Sequence, residues 1–124
     1  MAHVLVIDDD EEHRILAREI LEREGYRVEV AVDGKDGLRR FGKNRPDVVL
    51  TDINMPGLDG HAVIEALKVL HADVPIIAIS GGGAREKDEL LLEAVRLGAA
   101  EVIMKPFDFR QLVGAVRRAT ALRS

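Results

Sequence analysis

Hydrophobic residues along this chain occur in short runs that alternate with longer amphipathic stretches. The short runs are rich in β-branched residues, as strands are, whereas the apolar positions of the longer stretches recur at helical spacing. Three runs, at residues 4–7, 48–50 and 76–79, contain no polar residue, which is typical of strands covered on both faces. The pattern therefore predicts a parallel sheet between two layers of helices.

Five strand and helix pairs follow one another in this pattern. The predicted strands are residues 3–8, 27–32, 47–51, 74–80 and 100–104, and the predicted helices are about residues 11–24, 34–43, 60–70, 84–97 and 108–121. Gly25 and Gly98 stand where helices should end, and Asp10, Asp33 and Asp108 can cap helix starts. Because parallel crossovers are right-handed, few compact arrangements exist. A flavodoxin-like (βα)5 three-layer sandwich with strand order 2-1-3-4-5 is the predicted fold.

The composition narrows the class of protein. A length of 124 residues fits one compact domain, so we expect residues 1–124 to form a single domain. No apolar run approaches the roughly 18 residues that a membrane span needs, and the acidic start does not resemble a signal peptide, so a cytoplasmic location without membrane contact is expected. The net charge of −4 lacks the basic excess of a nucleic-acid surface, which argues against direct nucleic-acid binding.

Polar residues stand at the carboxyl ends of four predicted strands: Asp8, Asp9, Asp10, Asp52, Ser80 and Lys105. These ends meet at one edge of a parallel sheet, where the carboxylates would repel one another unless a cation compensates them. The chain has no cysteine, so only oxygen and imidazole ligands exist for a metal. Oxygen ligands favour Mg²⁺, which commonly binds one or two carboxylates together with a phosphate oxygen. We therefore predict a Mg²⁺ site for phosphoryl chemistry.

Four segments match one known family in order and position. They are VIDDD at residues 6–10, TDINMPGLDG at residues 51–60, Ser80 at the end of an apolar run, and KPF at residues 105–107. Each segment alone is weak evidence, but the four together are specific. On these motifs the chain resembles, over essentially its whole length, the receiver domain of bacterial two-component response regulators.

The resemblance implies a role for each residue of the metal site. Asp52 accepts the phosphoryl group and is also a Mg²⁺ ligand. Asp9 binds Mg²⁺ directly, Asp8 acts through bound water, and Asn54 contributes its backbone carbonyl.

Two further residues are implied to act on the phosphoryl group itself. Ser80 donates its hydroxyl to it, and Lys105 pairs with its charge. The resemblance also implies a cis bond between Lys105 and Pro106, although the trans form is the usual one.

The family resemblance implies partners and an output. The phosphoryl group comes from a sensor histidine kinase or a histidine phosphotransfer protein, and a conformational change at the face of the fourth helix, fifth strand and fifth helix signals to a downstream protein target. The chain is expected to catalyse only its own phosphoryl transfer and dephosphorylation, so it is not an enzyme in the wider sense. If the natural protein ends at Ser124, its output is expected through protein contact. Whether the chain forms a weak or phosphorylation-dependent dimer is left open by the sequence.

Two features depart from the family pattern. The family usually has tyrosine, phenylalanine or histidine three positions before the strand-end lysine, where Val102 stands here. Valine lacks the large rotamer change of a ring, so the usual switch is in doubt. The glycines at residues 81–83 leave no side chain two positions after Ser80 to shield or assist a hydrolytic water, and we expect that loop to be mobile.

Alternative functions are weaker on the sequence. An aspartate-based phosphohydrolase would require threonine or valine where Glu12 stands, and a flavin- or nucleotide-binding module would not place three aspartates in its phosphate loop. A pseudo-receiver scaffold is disfavoured because no acidic or basic position is missing. The four histidines, for which we expect exposed or half-buried structural roles, are His3, His13, His61 and His71.

Overall fold

The computed structural model describes residues 2–70, 73–80 and 84–121, with the backbone alone at residues 84–88, 90 and 91. Its strands are β1 His3–Ile7, β2 Arg27–Ala31, β3 Val48–Asp52, β4 Ile76–Ser80 and β5 Glu101–Met104. Its helices are α1 Glu11–Arg23, α2 Gly34–Lys43, α3 Gly60–Leu70, α4 Ala84–Leu97 and α5 Phe109–Ala121. The ten predicted elements are all present, and their ends differ from the predictions by two residues at most.

The five strands form one parallel sheet in the order β2-β1-β3-β4-β5, which confirms the predicted fold. In the register of this sheet Ile7 pairs with Thr51 and Asp52 pairs with Ile79. The carboxyl ends of β1, β3 and β4 therefore lie side by side. Asp52, which was predicted to follow the third strand, is its last residue.

The core consists of two hydrophobic clusters, one on each face of the sheet. Alternate residues of a strand point to opposite faces, so Val4 and Val6 of β1 enter the first cluster while Leu5 and Ile7 enter the second. The first cluster includes buried residues of α1 and α5, and the second includes buried residues of α2, α3 and α4. This three-layer arrangement explains why β1, β3 and β4 are buried along their whole length.

Helix ends follow the sequence signals. Side chains cap helix starts at Asp10, Asp33 and Asp108. The cap of α5 is reciprocal, since Asp108 accepts from the Gln111 amide at 2.9 Å and donates its own amide to the Gln111 side chain at 2.9 Å. Gly25 and Gly98 have φ angles of 91° and 110°, a region in which glycine ends a helix without strain.

The start of α3 lies directly on the end of β3. A Cβ atom added at Gly60 would come within 2.4 Å of the Asp52 carbonyl oxygen and 2.5 Å of the Ile53 Cα atom. The Gly60 amide instead donates a hydrogen bond to the Ile53 carbonyl at 2.9 Å. Only glycine allows this approach, so Gly60 determines how closely α3 supports the residue that ends β3.

The prediction that every histidine is exposed or half-buried is wrong for His3, which is buried. His3 begins the inner strand β1, where its amide donates to the Asp47 carboxylate at 2.8 Å and its ring lies 3.6 Å from Glu29. His71 and the predicted mobile loop at residues 81–83 lie outside the described residues. The bond between Lys105 and Pro106 is cis. Across the described residues, no helix is both long and apolar enough to cross a membrane.

Candidate functional site

Three charged side chains meet at the carboxyl edge of the sheet. Asp52 ends β3 and is 5% exposed, and Asp8 follows β1 and is 4% exposed. Lys105 directly follows β5, and its amide is tied to the Ser80 carbonyl of β4 at 2.8 Å. The parallel register thus brings together residues that are far apart in the chain.

The Asp52 carboxylate is hydrogen-bonded at both oxygens. Its Oδ2 accepts from Nζ of Lys105 at 3.1 Å, and its Oδ1 accepts from the Asn54 amide at 3.1 Å. A charge-assisted hydrogen bond of this kind stabilises the ionised form of a buried carboxylate. The Asp52 carboxylate therefore has a cation beside it, an arrangement that suits a nucleophile toward phosphorus.

Asp8 is a buried carboxylate with a second carboxylate, Asp52, beside it. Burial raises the pKa of Asp8, a hydrogen bond from the Asp10 amide at 2.9 Å opposes this, and the charge of Asp52 raises the pKa further. The Arg14 guanidinium donates to the Asp8 backbone carbonyl at 2.8 Å and so fixes the chain rather than the carboxylate. The Lys105 ammonium, 3.9 Å from Asp8 Oδ2, lowers the pKa of Asp8 but does not cancel the effect of burial.

The pocket fits a hard cation. Ligand atoms of Asp8, Asp52 and His13 all lie within 4.8 Å of one another, and two of the three residues are carboxylates. The repulsion between Asp8 and Asp52 would be relieved by a divalent ion. Asp9 is exposed and is not in this group, and the Asn54 side chain is exposed as well. The structure therefore brings Asp8, Asp52 and Lys105 together and leaves Asp9 at the rim.

Ser80 ends β4 and is completely buried. Among the residues that the structure describes, its Oγ has no hydrogen-bond partner. A buried hydroxyl without a partner is unfavourable in a folded protein, and such groups commonly serve a ligand. Within the described part of the chain, Ser80 thus has an unpartnered hydroxyl on the strand next to that of Asp52.

His13 is a residue of the site that the sequence reading missed. Its Nδ1 lies 3.0 Å from Nζ of Lys105 and 3.6 Å from Oδ2 of Asp8. We expected a structural role because its spacing to the other histidines indicated nothing. The relevant signal is its place in the first turn of α1, just after a strand end, which directs it toward the same edge of the sheet.

A family model described as response regulator receiver domain matches residues 4–117. The transcriptional regulatory protein PrrA of Mycobacterium tuberculosis is 39% identical over 92% of this chain, but the match covers 48% of PrrA. The sporulation initiation phosphotransferase F of Bacillus subtilis is 33% identical over 98% of this chain and 95% of its own length. A crystal structure of a response regulator receiver domain protein from Clostridium thermocellum superposes with a TM-score of 0.91 at 30% identity, over 99% of this chain and 97% of that one.

The matches differ in how much of each relative they cover. This chain spans about half the length of the transcriptional regulators among them. That these relatives are transcriptional regulators contrasts with the expectation of no nucleic-acid partner. The phosphotransferase, in contrast, is matched over nearly its full length.

Proposed function

This chain belongs to the family of response regulator receiver domains of two-component systems, and from that premise we propose that Asp52 accepts a phosphoryl group from a phosphorylated histidine of another protein. The observation that carries the proposal is the environment of Asp52, a buried carboxylate at a strand end with Lys105 Nζ at 3.1 Å and a second carboxylate, Asp8, beside it. Structural aspartates rarely have this combination of burial, cation and acidic neighbour.

The proposed reaction moves one phosphoryl group. The P–N bond to the donor histidine breaks, a P–O bond to a carboxylate oxygen of Asp52 forms, and the histidine leaves as a neutral imidazole after it takes up a proton. Lys105 neutralises charge on the transferred oxygens, and the Ser80 hydroxyl donates a hydrogen bond to one of them. The Oγ of Ser80, for which the described residues offer no hydrogen-bond partner, supports this role.

Mg²⁺ would be held by Asp9, Asp52 and the backbone carbonyl of Asn54, with Asp8 acting through water. When bound, the ion supplies positive charge that stabilises the transferred phosphoryl oxygens. The acidic pocket supports a cation here, because ligand atoms of Asp8 and Asp52 lie within 4.8 Å of each other and a divalent ion would relieve their repulsion. The contribution of the chain is to hold its carboxylates in place.

The proposal extends to output and to partners. Receiver domains interact with histidine kinases or histidine phosphotransfer proteins, and we assign the donor to this class. The chain acts only on its own phosphoryl group. The output surface is the face of α4, β5 and α5, where Leu92 and Val95 of α4 are 59% and 60% exposed.

Intact-mass measurement tests the acceptor. The purified chain is incubated with acetyl phosphate and Mg²⁺, and we expect one phosphoryl adduct that is lost on treatment with hydroxylamine, as an acyl phosphate is. The variant Asp52→Asn should show no adduct. Asp59→Asn is the matched control, because Asp59 is an exposed aspartate in the loop after β3, and asparagine can also cap a helix. An adduct of equal yield on Asp52→Asn would refute the assignment.

A further inference from the structure

His13 touches the lysine of the site, yet the proposed reaction does not use it. Its Nδ1 is 3.0 Å from Nζ of Lys105, and its side chain is 44% exposed. The Asp10 side chain accepts a hydrogen bond from the His13 amide at 3.2 Å, so the helix cap fixes the backbone at this position. The first turn of α1 thus holds the ring over the strand-end lysine.

The chemistry of the two groups determines which of them donates the hydrogen bond. An ammonium group has three donors and no acceptor, so Nζ can form a hydrogen bond with Nδ1 only if Nδ1 offers its lone pair. This hydrogen bond therefore requires the tautomer of the ring that has its proton on Nε2. A protonated ring at this distance would repel the ammonium instead.

Lys105 needs more than one anchor. A lysine side chain loses considerable rotamer freedom when it is held in one place. Here Nζ lies 3.1 Å from Asp52 Oδ2, 3.0 Å from His13 Nδ1 and 3.9 Å from Asp8 Oδ2. The Asp52 contact changes when that carboxylate reacts, whereas the His13 contact is not part of the reaction.

We propose that His13 is a positioning residue, which holds the Lys105 ammonium at the site through a hydrogen bond from Nζ to Nδ1 and so speeds phosphoryl transfer to Asp52. The kinetic part of this inference rests on the proposed function, whereas the hydrogen bond does not. His13 is not assigned as a metal ligand, because the ammonium already lies between its Nδ1 and the Asp52 carboxylate.

The hydrogen bond is tested by nitrogen-15 resonances of the histidine rings in the unphosphorylated, metal-free protein at a pH where the rings are neutral. We expect an unprotonated Nδ1 and a protonated Nε2 at His13, and we expect the Nδ1 resonance to move in Lys105→Met. The His61 ring is the internal control and should not respond. A protonated Nδ1 at His13, or an Nδ1 resonance that does not change in Lys105→Met, would overturn the proposal.

The kinetic role is tested with two variants of similar size. His13→Asn keeps an acceptor close to the place of Nδ1, whereas His13→Leu removes it. With acetyl phosphate and saturating Mg²⁺, we expect His13→Leu to be phosphorylated about fivefold more slowly, the loss expected for one hydrogen bond, and His13→Asn to stay within about twofold of the wild type. Arg18→Gln on α1 controls for changes to the helix surface.

The outcomes separate the hypotheses. Equal losses in His13→Asn and His13→Leu would refute positioning by an acceptor, and weaker Mg²⁺ binding in His13→Leu would make His13 a metal ligand instead. A wild-type chain that takes up no phosphoryl group would refute the proposed function. The ring resonances would still decide the contact between His13 and Lys105.

Discussion

Three consecutive aspartates after β1 have three different environments. Asp8 is buried beside Asp52, Asp9 is exposed at the rim, and Asp10 caps α1 through the His13 amide. The same type of residue therefore lies in a buried pocket at the first position, faces solvent at the second and caps the start of a helix at the third. Substituting each one probes a different physical property.

Asp9 and Asp10 differ in what they are expected to bind. Asp9→Ala should weaken Mg²⁺ binding at least tenfold, the order of effect reported for changes around metal ligands. Asp10→Ala should leave Mg²⁺ affinity nearly unchanged and lower the midpoint of thermal unfolding by a few degrees, because it removes a helix cap. Isothermal titration and thermal unfolding measure the two effects. Unchanged Mg²⁺ affinity in Asp9→Ala would remove Asp9 from the metal site.

Asp8→Asn should stabilise the metal-free protein. Burial first, and then the charge of Asp52, raise the pKa of Asp8 in the folded state, so the ionised side chain opposes folding above that pKa and no longer does so once it is protonated. We expect about 1 kcal/mol of added free energy of unfolding near pH 7, and no gain in acid below the ordinary pKa of an aspartate. Urea unfolding with a chelator at both pH values measures it. Asp9→Asn is the exposed control, and a gain for Asp8→Asn that grows in acid would contradict this explanation.

Among the secondary-structure elements, α2 is joined to β2 and to the residue after it by hydrogen bonds of two carboxylates, Asp36 and Glu29. Asp36 accepts hydrogen bonds from the Val32 amide at 3.1 Å, from Arg39 at 2.5 Å and from Arg40 at 3.0 Å. Arg40 also reaches Glu29 of β2 at 3.0 Å. Helix α2 thus depends on polar contacts at its start, in addition to its apolar face.

This network predicts a pH dependence. Partial burial acts to raise the pKa of Asp36, but the hydrogen bonds from Val32, Arg39 and Arg40 outweigh it and lower the pKa overall. The lowered pKa means that Asp36 adds stability above the ordinary pKa of an aspartate and loses it as the pH falls through the folded-state pKa. Asp36→Asn should cost about 1–2 kcal/mol near pH 7 and converge with the wild type in acid. Urea unfolding across this range measures it, and a constant difference at all pH values would rule the explanation out.

Strand β5 has a valine, Val102, at the position where the family usually has tyrosine, phenylalanine or histidine. Val102 is partly buried against the second core cluster and pairs with Ala78 of β4. A valine has essentially one stiff torsion, so it offers little movement to transmit a change at Ser80. The signal from the site must then pass through other parts of the structure.

We therefore expect the connection from Ser80 to the start of α4 to respond most. A beryllofluoride mimic of the phosphoryl group should shift amide resonances from Ser80 through the start of α4 more than those around Val102, because a ligand moves only what interacts differently in the two states. Resonance mapping with and without the mimic decides it. The interpretation of Val102 fails if the largest remote shifts lie on β5 and α5 while the segment after β4 is silent.

For the molecule as a whole, the pattern of hydrophobic and polar residues predicted more of the fold than of the site. Periodicity and caps depend on neighbours in the chain, which is why the ten element positions were predictable. The strand order was predictable because right-handed crossovers leave few arrangements of five such units. Convergence of strand ends also predicted that Asp8, Asp52 and Lys105 meet. The contact of His13 with Lys105 joins residues 92 positions apart and depends on where one helix turn faces. Burial of His3 likewise depends on Glu29 and Asp47, which only the folded sheet brings to it.

The difference between the inner and outer strands has a consequence for exchange of backbone amide hydrogens with solvent. Every residue of β1, β3 and β4 is buried, whereas β2 and β5 contain exposed or half-buried residues. Inner-strand amides should exchange only through global opening, and those of β2 and β5 through smaller local openings with weaker dependence on denaturant. Asp52 and Ser80 then belong to the slowest-opening unit, and Lys105 follows a faster one. Native-state exchange would contradict this hierarchy if β5 amides were protected as strongly as those of β3.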